Sequence, residues 1–233
     1  MKKLFLSLAA IAAFQFANAQ CNELFFSEYV EGYNNNKALE IYNPKSTAVN
    51  LSNYRLIRWS NGSTTADMDI NYVQSLTGNV QPYSTFTFFL DKRVVGATGA
   101  DTILEASLLA IANNIVNAGN GAFYSPDYNA NVEGAKMMPF NGDDALSLQK
   151  NIAGTWTNVD IFAKIGEQPT NASGTTSPTG GWTDTPPYND GQGAYLTKDK
   201  TLIRKAVINT GVTTNPTLFN SLSEWDTLYV GTY

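Results

Sequence analysis

Apolar and polar residues alternate along most of this chain with the period of two that a half-buried β-strand requires. The spacing predicts strands over Leu24–Val30 and Lys37–Tyr42, joined by the turn Gly32-Tyr33-Asn34-Asn35-Asn36. Asn and Gly tolerate positive φ, so such a run bends at low cost. Asn43-Pro44 ends the second strand, because proline has no N–H to give to a ladder. Further strands are expected at Arg55–Trp59, Ser84–Leu90, Ala145–Gln149, Asn158–Ile165, Leu202–Lys205 and Trp225–Val230, and Asn61-Gly62 is a hairpin signal. About eight or nine strands with turn signals between them favour a sandwich.

Two segments leave this pattern. Asp101–Ala118 places Ile103, Leu104, Leu108, Ile111 and Ile115 at helical intervals, with Asp101 as a cap and Gly119 as a stop. It predicts a short helical insertion whose apolar stripe packs on its own domain. Glu167–Gly193, rich in Pro, Gly and Thr with Trp182 in its middle, reads as a long surface loop. No internal repeat or linker divides the chain, so residues 20–233 are expected to form a single domain.

The first 19 residues read as a secretory signal. Lys2 and Lys3 are its basic start, Leu4–Phe16 its apolar centre, and Ala17-Asn18-Ala19 a small-x-small cleavage site. The apolar run falls short of the roughly 20 residues that span a bilayer, and no comparable run follows. Cleavage would leave Gln20 first. A lipid on Cys21 is the rival reading, but Gln20 and Asn18 stand where a lipobox wants a small residue and Leu. The expected location is therefore periplasmic, cell-surface or extracellular.

Charge and residue counts then remove function classes. The chain carries 15 Lys and Arg against 20 Asp and Glu, and losing Lys2 and Lys3 makes the balance more negative still. Phosphate backbones are bound by basic residues that displace counterions, so nucleic acid is an unfavoured partner. There is one cysteine and no histidine, which leaves no intramolecular disulfide, no Ser-His-Asp or Cys-His arrangement and no imidazole zinc site. No phosphate-binding glycine loop is present either. Any enzyme built on this chain would have to work with carboxylates alone.

Those carboxylates fall in two groups. Glu28, Glu31 and Glu40 border the first hairpin, and Asp143 and Asp144 sit in the turn PFNGDDALSL (139–148). Brought to one end of the molecule, with Asn36 and Asn141, they suit calcium, which takes six to eight oxygens, or the acid and base of glycoside hydrolysis. The favoured reading is structural: Asp143 or Asp144 accepts hydrogen bonds from turn N–H groups. Among the aromatics, Trp59 and Trp225 lie in strands and are expected in the core. Trp182, Tyr33 and Tyr188 lie in a loop or turn and are the candidates for ligand contact.

Six ordered motifs carry a family resemblance. They are LFFSEYVEGYNNNKALEIYNP (24–44), NLSNY (50–54), PFNGDDALSL, VDIF with Ile165-Gly166 (159–166), TLIRK (201–205) and SEW (223–225). Together they resemble the lamin-tail domain, in the version common in secreted proteins of Bacteroidetes-type bacteria. Asn50 stands where that pattern has an acid, and Ala163-Lys164 where it has Gly after Phe. The resemblance implies an immunoglobulin-like β-sandwich without intrinsic catalysis or cofactor. It also implies a binding or interaction module whose partner is an extracellular protein or glycan. A carboxylate-dependent extracellular glycan hydrolase and a purely structural cell-envelope protein are the alternatives.

Overall fold

The computed structural model describes residues 23–32, 36–90, 122–124, 132–176 and 179–229. Its strands are β1 (Phe25–Glu31), β2 (Lys37–Tyr42), β3 (Val49–Asn50), β4 (Tyr54–Trp59), β5 (Val73–Ser75), β6 (Asn79–Val80), β7 (Thr85–Phe89), β8 (Ala122–Tyr124), β9 (Ala145–Ile152), β10 (Thr155–Phe162), β11 (Lys200–Arg204) and β12 (Trp225–Tyr229). They make a six-stranded sheet in the order β12-β11-β1-β2-β7-β8, a four-stranded sheet β10-β9-β4-β5, and the pair β3-β6. Pairing is antiparallel except between β7 and β8. Helical geometry in the described residues is confined to three-residue 3₁₀ turns, so this part of the protein is all-β. None of its helices is long and apolar enough to cross a membrane. The expected signal segment, Cys21, Tyr33 and the expected helix at 101–118 lie outside the described residues.

Alternation places Tyr29, Leu39, Ile41, Phe86 and Phe88 of the six-stranded sheet in the same hydrophobic cluster as Leu56, Leu146, Leu148 and Phe162 of the four-stranded sheet. The Tyr29 ring stacks on Phe162 with centroids 4.3 Å apart, and Trp225 meets Phe162 edge-on at 5.4 Å. One aromatic run therefore links β1, β10 and β12 across the two sheets. Such pairs add about 0.5–1.5 kcal/mol each beyond the area they bury.

The structure differs from the sequence pattern in two connections. β9 runs three residues further than the alternation implied, and β10 keeps its expected length but starts and ends three residues earlier, because the two meet in a tight hairpin at Ala153 (φ 51°) and Gly154 (φ 90°). Asn61-Gly62, by contrast, joins no two-residue hairpin. It starts a longer link from β4 to β5, built of the 3₁₀ turns Ser60–Gly62, Ala66–Met68 and Ile70–Tyr72. Positive φ at Asn61 and Gly62 serves the bend in both cases, so the dipeptide signalled a reversal without fixing its length.

Candidate functional site

The turn before β9 holds both sequence-predicted aspartates. Asp144 N–H donates to Asn141 O at 3.1 Å and closes it. A β-carbon on Gly142 would lie 2.6 Å from the Lys198 Cα, so only glycine lets these two backbones meet. Thr197 donates from its hydroxyl to Gly142 O at 2.6 Å and accepts from Trp182 N–H at 3.0 Å. The Tyr29 hydroxyl is 3.3 Å from Thr197 O and 3.4 Å from Asn141 O. The first hairpin, the acidic turn and the long loop thus meet at one place.

Asp144 is fully buried and fully engaged there. Its Oδ2 accepts from Asn141 N–H at 2.7 Å and from Arg58 Nε at 2.8 Å, and its Oδ1 from Asn61 N–H at 2.9 Å. This is the turn-closing role expected of one of the two aspartates, and it extends to a strand and a distant turn. Asp143, equally buried, is served less well. Its Oδ2 accepts from Gln168 Nε2 at 2.7 Å, while Oδ1 has no partner among the described residues. Burial, and then the charge of Asp144, push its carboxyl from the ordinary 3.8 up to about 6.

The glutamates are elsewhere. Glu28 and Glu40 are cross-strand partners in the register of β1 and β2, on the face opposite Tyr29 and Leu39. Burial and the neighbouring Glu40 raise the Glu28 carboxyl, and Ser27 donates to Glu40 at 2.7 Å. Glu31 is buried against Lys37 and accepts from the Asp199 N–H. The five candidate carboxylates therefore fall into three groups: the Glu28–Glu40 pair, Glu31 with Lys37, and the Asp143-Asp144 turn. Among the described residues no three His, Cys, Asp or Glu side chains are grouped to hold a metal ion.

Trp182 also departs from expectation. It is 1 % exposed and meets Phe219 edge-on at 5.5 Å, so its ring is a core element and is not displayed to a ligand. Burial follows from the tie of its N–H to Thr197, which draws the loop over the acidic turn. Tyr188 is half-buried on the same core, with its hydroxyl accepting from Asn220 Nδ2 at 3.2 Å. Trp59 and Trp225 are buried as expected.

A second buried carboxylate escaped the sequence reading. Asp160 accepts from Phe26 N–H (2.8 Å), Val212 N–H (2.7 Å) and Arg204 Nη1 (2.8 Å), and Arg204 Nη2 continues to Glu224 at 2.9 Å. Burial raises its carboxyl to about 6 against the pull of Arg204 and the two N–H groups. The signal was a charged residue inside an otherwise apolar strand, at Asp160, Arg58 and Arg204 alike. Such residues are almost never fully buried without a partner. No protein-family model, curated protein or solved structure matches this chain, so the geometry bears the functional argument.

Proposed function

We propose that this chain is an exported, non-catalytic binding or interaction module, an immunoglobulin-like sandwich of lamin-tail type. The observation that supports this reading is how the polar residues of the six motifs are used. Asp160 of VDIF, Arg204 of TLIRK and Glu224 of SEW form one ion network, and Tyr29 of the first hairpin rests on the FNGDD turn. A carboxylate that accepts three hydrogen bonds inside the core positions backbone and has no lone pair directed at a substrate. The motifs are thus accounted for as a scaffold, and scaffolds of this kind present loops to partners.

The test is a screen of the secreted protein against polysaccharides, cell-wall fragments, extracellular proteins and nucleic acids, with turnover followed alongside binding. The expected result is saturable binding to a glycan or protein without turnover. Hydrolysis that disappears in Glu28→Gln or Asp143→Asn would replace this reading with a carboxylate hydrolase. Intact mass of the exported product should correspond to a chain starting at Gln20, and a diacylglycerol adduct on Cys21 would move the protein to a membrane surface.

A further inference from the structure

The three 3₁₀ turns between β4 and β5 border a half-open surface cavity of about 210 Å³ lined by Ser60, Asn61, Ser63, Thr65, Asp69 and Tyr72, with Ala66 as its apolar patch. This is below the roughly 300–1,000 Å³ of pockets that enclose drug-sized ligands, and it limits an occupant to about one small ring. The lining mixes hydroxyls, an amide, a carboxylate and one aromatic ring, and it contains no Lys or Arg.

Its walls are fixed before any ligand arrives. Asn61 is held at φ 51° with its N–H on the buried Asp144 carboxylate. Gln168 Nε2 donates to the Asn61 side-chain oxygen at 3.2 Å, which leaves the amide NH₂ as the uncommitted end. Asp69 caps the third turn, accepting from Asn71 N–H at 3.0 Å and Asn71 Nδ2 at 2.8 Å through one oxygen. The Asn71 hydrogen bonds hold its carboxyl below the usual range, so it stays charged at neutral pH. Gly134 N–H and Lys136 N–H bind the carbonyls of Ile70 and Asn71, pinning that turn from outside. Lys136 Nζ lies 5.6 Å from the Tyr72 ring centroid.

The chemistry of this lining selects among ligand classes. No arginine or lysine lines the recess, so it offers a phosphate or uronic acid no direct cationic contact, although Lys136 stands close enough to favour the charged form of Asp69. One carboxylate is also too few for calcium, which takes six to eight oxygens with several of them charged. Hydroxyls that donate and accept, an NH₂ donor and a carboxylate acceptor match a ring of vicinal hydroxyls, and Tyr72 adds an aromatic residue to the wall. We propose that this cavity binds a single neutral sugar residue of an extracellular glycan. The inference rests on the binding-module reading and gives it a ligand class.

Saturation-transfer NMR with the methyl glycosides of glucose, galactose, mannose and N-acetylglucosamine tests it, with glucuronate and glucose 1-phosphate as anionic controls. Affinities in the millimolar range are sufficient for detection. The wild type should transfer saturation to one or more neutral glycosides and to neither anion, with amide shifts moving over residues 60–72. Thr65→Trp fills the cavity from an exposed position whose side chain makes no cap bond, and Asp69→Asn keeps the cap acceptor. Each should weaken binding about tenfold or more while the melting temperature holds. No transfer to any neutral glycoside, equal transfer to the anions, or amide shifts confined to other residues would overturn the proposal. If a glycan or protein found in the broader screen still binds Thr65→Trp undiminished, the cavity is wrong and the module reading stands. If that screen finds no partner of any class, the reading itself fails.

Discussion

Asp143 and Asp144 are consecutive, equally buried carboxylates with opposite roles. Asp144 gathers three donors from three parts of the chain, whereas Asp143 keeps one oxygen unpaired among the described residues. Removing Asp144 takes the carboxylate partner from Arg58, which still donates to Lys136 O, and the acceptor from two N–H groups, so Asp144→Ala should cost about 3–5 kcal/mol in urea unfolding. A loss under about 1 kcal/mol would show that the site relaxes without it. Asp143 behaves the other way. Its folded value of about 6 lies above the ordinary 3.8, so the folded state binds the proton more tightly. The resulting stabilisation is complete below 3.8 and lost as pH rises through about 6. Asp160 shifts in the same direction, so the informative quantity is a difference between proteins. Asp143→Asn keeps an acceptor for Gln168 and cannot ionise. It should melt about 2–4 °C above wild type at neutral pH, equivalent to about 1 kcal/mol, and converge with it near pH 4. Parallel melting curves across that interval would contradict the burial argument.

At the scale of elements, the sequence pattern located β1, β2, β4 and β7 almost to the residue, although β4 and β7 are buried on both faces. It was less informative where a turn sets the ends. Asp160 and Phe162 are buried together with Val159 and Ile161, and a register shift between Asn158 and Asp160 lets neighbours on both faces turn inward. The link from β4 to β5 was misjudged because an Asn-Gly pair specifies backbone sign and not the distance to the next strand. Gly142 offers a direct test of the acidic turn. Its obligation is steric, from the Lys198 backbone at 2.6 Å, whereas Gly154 has nothing within 4 Å of a β-carbon and is constrained only by φ 90°. Gly142→Ala must displace β9's turn from the loop at 196–198 and should cost about 1–3 kcal/mol. It should also quench less of the core tryptophan signal change on unfolding, since Trp182 hangs from Thr197. Equal, small losses for Gly142→Ala and Gly154→Ala would mean that the two segments separate without penalty.

For the whole molecule, the pairing that matters most joins residues far apart in sequence, which is why it was illegible there. Asp160 binds Phe26 N–H across 134 positions and Arg204 across 44, and composition alone offered any aspartate or glutamate to any arginine. Only the topology, with β1 and β11 adjacent in one sheet and β10 at the edge of the other, selects the partners. The surface cavity was equally invisible, because its lining comes from turns whose polar residues read as ordinary loop. The cross-sheet ties have a consequence for unfolding. Phe26 N–H and Arg204 bring the six-stranded sheet to Asp160 of the four-stranded one, and Tyr29 stacks on Phe162 beside them. Neither sheet keeps its buried charge satisfied once the other leaves, so the two should unfold together. Urea transitions followed by far-UV circular dichroism and by tryptophan fluorescence should coincide in the wild type. Arg204→Met takes from the buried Asp160 carboxyl the guanidinium that opposes its protonation and should lower stability by up to about 3–5 kcal/mol. If the sheets are one cooperative unit, both probes shift by the same amount in that variant. Were they independent, Arg204→Met would move one probe and leave the other in place, and the Asp160 network would be a local clasp rather than the connection between the two halves.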